Sequence, residues 1–96
     1  MATPPADPKQ SPVAIGRRLA LIREIAGLSQ VKLSRLLGVS QGTVSAFESG
    51  ARPPGLKIGN RVCDVLGVTL DYIYRGDTSG LPMRTLSEIN TRRNFD

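Results

Sequence analysis

Two glutamines, Gln30 and Gln41, are the side chains best suited to reading another molecule. Each amide donates and accepts hydrogen bonds in one plane, so it matches a polar edge that places a donor beside an acceptor. Each directly follows a serine, Ser29 or Ser40, and serine in that position caps a helix. Both amides therefore stand at helix starts, where unpaired backbone N–H groups add further donors. Bond-making chemistry has far less to work with. The chain has no histidine, no phosphate-cradling glycine loop and no nucleophile beside a base, so an enzyme is not expected. There is one cysteine, Cys63, and the carboxylates are scattered, so neither a metal site nor a cofactor is expected.

The elements that position these amides can be read from spacing. Leu33 and Leu37 lie four apart on a helix starting at Gln30, and Val44 and Phe47 lie three apart on a helix starting at Gln41. Gly38 can adopt the left-handed angle that ends the first helix, Val39 fills the turn, and small Ser34 stands where the helices cross. Over Gln30 to Glu48 this is the helix-turn-helix pattern, whose second helix enters the major groove of DNA. An ordinary helical hairpin also needs apolar positions and a turn glycine. Here the small residue, glycine, turn apolar and cap all coincide at the required offsets.

Ninety-six residues allow one domain with one core, built from Leu, Ile and Val because aromatics are few. Residues 1–12 hold four prolines and read as a disordered N-terminal arm. Ser11 caps a first helix over about Val13 to Ala26, with Ile15, Leu19, Ile22 and Ala26 on one face. After the helix-turn-helix and a stiff Pro53-Pro54 loop, a fourth helix spans about Leu56 to Leu66, weakened by Gly59. It turns Ile58, Val62, Val65 and Leu66 to the core. Thr69 caps a short fifth helix, Leu70 to Tyr74. Residues 77–96 form a C-terminal extension in which MRTLSEI reads as a short helix presenting Met83, Leu86 and Ile89. The expected fold is all-α: a five-helix domain over residues 13–76 plus that extension. With no apolar leader and no membrane-spanning length, a soluble, cytoplasmic protein with no membrane partner is expected. A lone thiol in an apolar pattern suits a reducing compartment.

The net charge is +5, and its placement matters more than its size. From Lys9 to Arg61 there are nine basic residues against two acids, whereas from Val62 onward there are four against five. The positive charge thus accompanies the helix-turn-helix, as a phosphate-binding surface requires.

The span from Ile15 to Gly76 resembles the phage repressor and Cro family of helix-turn-helix domains, also called the xenobiotic-response-element family. The resemblance rests on Ile15-Gly16-x-Arg18-Leu19, Ala26-Gly27-Leu28-Ser29-Gln30, Leu33, Leu36-Leu37-Gly38-Val39-Ser40-Gln41, Val44-Ser45, Glu48-Ser49-Gly50, Pro54, Leu66-Gly67-Val68 and Leu70-Asp71. It implies a repressor-like five-helix domain acting as a homodimer on a palindromic operator in double-stranded DNA. Three features depart from the family. Gly42 stands where a polar side chain is frequent, Gly59 replaces a core leucine, and residues 77–96 extend past the domain.

Gln41, at the start of the recognition helix, is expected to meet base edges, its amide matching adenine N6 and N7. Ser45 and Ala46 lie about one turn on, and Gly42, with no side chain, either allows close backbone approach or reduces base readout. Gln30, Ser40, Thr43, Arg52, Lys57 and Arg61 are the expected phosphate contacts. The resemblance further implies that Gln30 and Gln41 brace each other, and that Arg23 and Glu48 form an ion pair tying the first helix to the end of the recognition helix. Cys63 lies where the family prefers alanine and reads as core filler. Leu21 and Ile25 sit off the core face of the first helix, suited either to cover by the extension or to a partner. Pairing surfaces are expected at Tyr72 and Tyr74, and in the tail at Leu81, Met83, Leu86 and Ile89. An antitoxin-like subunit whose tail binds another protein is the alternative reading.

Overall fold

The computed structural model describes residues 8–93. Among them the chain is all-helical, with α1 (Pro12–Ile25), α2 (Gln30–Leu37), α3 (Gln41–Ser49), α4 (Leu56–Leu66), α5 (Leu70–Arg75) and α6 (Met83–Arg93). A single 3-10 turn, Pro8–Gln10, precedes α1. Of the arm expected over residues 1–12, residues 1–7 lie outside the described part. Its end is structured, because Arg18 on α1 donates to the Lys9 carbonyl and, through Nε, to the Ile73 carbonyl at 3.0 Å. One side chain thus ties the turn, α1 and α5 together.

Local chemistry accounts for most helix ends. The side chains of Ser11, Ser29, Ser40 and Thr69 accept from the backbone N–H three residues on, at 3.0–3.1 Å, satisfying donors that a helix start leaves unpaired. Gly38, with φ +72°, closes α2 in the left-handed conformation that disfavours any Cβ. Gly55, which precedes α4, makes no side-chain cap.

The core gathers one stripe from each helix: Ile15, Leu19 and Ile22 of α1, Leu33 and Leu37 of α2, Val44 and Phe47 of α3, Val62 of α4, Tyr72 and Ile73 of α5, with Val68 between. Ile58, Val65 and Leu66 are half-buried against it, while Ala26, which follows α1 as its C-cap, is exposed. α3 lies between α1 and α2. At the α1–α3 crossing the backbones nearly touch. A Cβ on Gly16 would lie 2.3 Å from the Phe47 carbonyl oxygen and 2.6 Å from that of Glu48. This crossing sets the angle at which α3 leaves the domain.

Two expectations are corrected. Gly59 does not merely weaken α4. It makes room for Tyr74, whose hydroxyl crosses the helix to the Pro54 and Gly55 carbonyls at 2.8 and 3.1 Å. An added Cβ would lie 2.3 Å from that hydroxyl. The tail, too, is not an exposed apolar stripe. Its helix runs to Arg93 and packs on α1, and Leu81 and Ile89 join the core, Ile89 only 1% exposed. Tyr72 is also core, so neither it nor Leu81 nor Ile89 offers a pairing surface. Tyr74 is half-buried and its hydroxyl is engaged, Leu86 is half-buried, and Met83 alone of the tail set is fully presented, at 81% exposure. Leu21 and Ile25 are half-buried against the core, on the helix that α6 covers.

Candidate nucleic-acid interface

The N-terminal ends of α2 and α3 stand side by side, joined through the two glutamines. The Gln41 Nε2 donates to Gln30 Oε1 at 2.7 Å, and the Gln30 Nε2 donates to Glu48 Oε1 at 3.0 Å. Glu48 in turn is held by Arg23, whose Nε and Nη2 donate to the two carboxylate oxygens at 2.6 and 2.9 Å. The Nη1 of Arg23 donates to the Leu28 carbonyl at 2.8 Å, so α1, the α1–α2 turn and the end of α3 meet at one guanidinium. The pair is sheltered, with side-chain exposures of 13% for Arg23 and 7% for Glu48. A bidentate, shielded pair of this kind is directional as well as strong. The hydrogen bond to Glu48, followed by the attraction of its charge and that of Glu24, outweighs burial and pushes the Arg23 pKa further up.

The other residues expected at DNA are all exposed or half-buried. Gln41 and Gly42 are exposed at the tip of α3, and Ser45 and Ala46 are half-buried one turn on. The Ser40 and Thr43 hydroxyls hydrogen-bond each other at 2.8 Å, so each is oriented before any outside acceptor arrives. Arg52 is exposed beyond α3, with its guanidinium carbon 5.9 Å from the centre of the Phe47 ring, a cation–π distance that holds a long side chain over the helix end. Lys57 is exposed in the first turn of α4. Arg61 is exposed as well, but its Nη1 donates to the Leu37 carbonyl at 2.8 Å. It caps the end of α2 and joins it to α4.

The family resemblance implied the pairs Arg23–Glu48 and Gln30–Gln41, and both are present. It missed the bond from Gln30 to Glu48 that makes one network of the two pairs, and the Leu28 carbonyl that completes the environment of Arg23. Nothing in local spacing signals either. Cys63 is half-buried with its thiol pKa raised, first by burial and then by the charge of Asp64, which keeps it neutral. Among the described residues no cluster of three or more His, Cys, Asp or Glu side chains could hold a metal ion. No helix among them is long and apolar enough to cross a membrane.

Comparison with known proteins agrees with this geometry. A sequence profile described as helix-turn-helix matches residues 19–73. The SPbeta prophage-derived HTH-type transcriptional regulator YonR of Bacillus subtilis is 31% identical over 61 residues, covering 64% of this chain and 56% of that protein. An HTH-type transcriptional regulator of Methanocaldococcus jannaschii is 34% identical over 62 residues, covering 62% of this chain and 94% of the archaeal protein. A second Bacillus subtilis regulator of this type, YqaE, is 31% identical over 52 residues. The chain spans about half the length of the two Bacillus relatives, 56% and 45%.

Proposed function

Because the chain belongs to the helix-turn-helix family of DNA-binding transcriptional regulators, we propose that it is a cytoplasmic repressor that inserts α3 into the major groove of a palindromic operator, as a homodimer. Residues 13–76 form the DNA-binding unit in this reading. Its role is to bind and occlude, not to catalyse. The observation that carries the proposal is the braced pair of glutamines at adjacent helix N-termini, backed by a sheltered ion pair, with Arg52, Lys57 and Arg61 exposed to solvent. Gln41 reaches base edges, with Gly42, Ser45 and Ala46 lining the approach. Gln30, Ser40, Thr43 and the three basic side chains meet phosphates. One domain reads only a few base pairs, which is too little to discriminate a site within a genome. Two copies about a two-fold axis read half-sites roughly 34 Å apart.

The test is operator selection from random duplexes followed by titration with salt. Each neutralised phosphate releases counterions, so affinity falls steeply as salt rises. Gln41→Ala lowers affinity by roughly 1–3 kcal/mol and relaxes preference at one base pair per half-site. Gln30→Ala weakens binding to all sequences. Sedimentation with and without the selected duplex reports the dimer. Failure to select any sequence, or a flat salt response, refutes the reading.

A further inference from the structure

The network behind Gln41 has a direction. Glu48 is a carboxylate that only accepts, so Gln30 must turn its amide nitrogen toward it. The Gln30 oxygen then faces Gln41, and Gln41 must answer with its own nitrogen. What Gln41 has left for an outside partner is decided by that sequence of bonds: its Oε1 acceptor and one remaining N–H. An unbraced glutamine can rotate its amide by half a turn and present two donors instead. This one cannot without breaking its bond to Gln30 or, if Gln30 turns with it, the bond from Gln30 to Glu48.

We infer that Glu48 is a specificity-determining residue, acting through Gln30 to set which atoms of the Gln41 amide face DNA and thereby selecting adenine over guanine at the base pair Gln41 meets. The inference rests on the reading that α3 lies in the major groove. Adenine presents N6–H beside N7, a donor beside an acceptor, which one oxygen and one N–H match. Guanine presents O6 beside N7, two acceptors, for which the outward oxygen is wrong. Glu48 is sheltered and reads no base itself. It is a positioning residue whose effect is a polarity transmitted across two amides.

The experiment measures the adenine-to-guanine preference at one operator position. Gln41→Ala first locates that position as the one whose preference relaxes. Competition binding with adenine or guanine there is then compared for the wild type, Gln30→Lys, Gln30→Met and Glu48→Gln. Lysine at position 30 still donates to Glu48 but offers Gln41 only donors, so Gln41 must turn its oxygen inward. Gln30→Lys should therefore reduce an adenine preference of roughly tenfold or more to within about twofold, or invert it, and Glu48→Gln, whose amide can face Gln30 with either its oxygen or its nitrogen, should reduce it without inverting it. Gln30→Met, which imposes no polarity, should fall between. Preferences at other positions should stay as in the wild type, an outcome that a purely structural role for Glu48 does not produce. Thermal melts establish which variants fold, and Gln30→Lys keeps the Arg23–Glu48 pair, so it decides the matter if Glu48→Gln does not fold. An unchanged ratio in Gln30→Lys, or an equal loss at every position, overturns the inference while leaving the DNA-binding reading intact. If Gln41→Ala relaxes no position, both fall.

Discussion

Replacing Gly16 with alanine should separate α1 from α3 and destabilise the domain, although alanine is the better helix former. The propensity term favours the substitution by roughly 1 kcal/mol. Opposing it, the new Cβ would sit 2.3 Å from the Phe47 carbonyl oxygen and 2.6 Å from the Glu48 carbonyl oxygen. Ordinary C···O approaches are about 3.3 Å, so the helices must part by about 1 Å. Both obstacles are backbone atoms inside α3 and cannot rotate away. Overpacking of this kind costs typically about 1–3 kcal/mol, and here it also stretches the Arg23–Glu48 bonds, now 2.6 and 2.9 Å. Less the propensity gain, a net loss of up to about 2 kcal/mol is expected, which lowers Tm by up to about 15 °C for a domain of this size. Gly42→Ala is the matched control. It too is helical, but its Cβ would meet nothing nearer than Ser40 Oγ at 3.9 Å. It should leave Tm unchanged or raise it by a few degrees, about what the propensity gain predicts. Thermal unfolding followed by circular dichroism checks both, with operator affinity as a second readout of the α3 angle. Equal or higher stability for Gly16→Ala would refute the close crossing as the device that orients α3.

Tyr74→Phe should cost about 1 kcal/mol by leaving the Pro54 and Gly55 carbonyls without their donor. Gly59→Ala should be destabilising alone and less so when combined with Tyr74→Phe, a coupling that a double-mutant cycle of melts would measure. Burial raises the pKa of Cys63 above its ordinary 9.0 and that of Tyr74 above 10.0, so folding favours both neutral forms. Their contribution is then fully present below those values and is lost as pH rises through the folded ones. Tm should decline above about pH 9, and Cys63→Ala should remove the earlier part of that decline. Truncation before Leu81 should lower stability by up to about 3–6 kcal/mol, the burial of Leu81 and Ile89, with Tm unchanged if the tail were merely appended.

The sequence by itself determined the helices and their order. Each cap acts three residues away, and each terminal glycine acts on its own φ angle, so these signals are local and readable without the fold. The apolar stripes at Leu33, Leu37, Val44 and Phe47 follow from helical spacing for the same reason. Family resemblance added the Arg23–Glu48 pair and the bracing of Gln41 by Gln30. What only the tertiary structure decided lies between residues far apart in the chain. The fate of the tail was one such matter. Leu81, Leu86 and Ile89 have an apolar period that serves an interface or a core equally well, and only the packing of α6 on α1 distinguishes them. Gly59 was another, since a glycine in a helix reads as weakness until Tyr74, on the next helix, is seen to occupy its place. The bond from Gln30 to Glu48 was the third. It joins the start of α2 to the end of α3, and its existence depends on how those two helices pack on each other over the shared core.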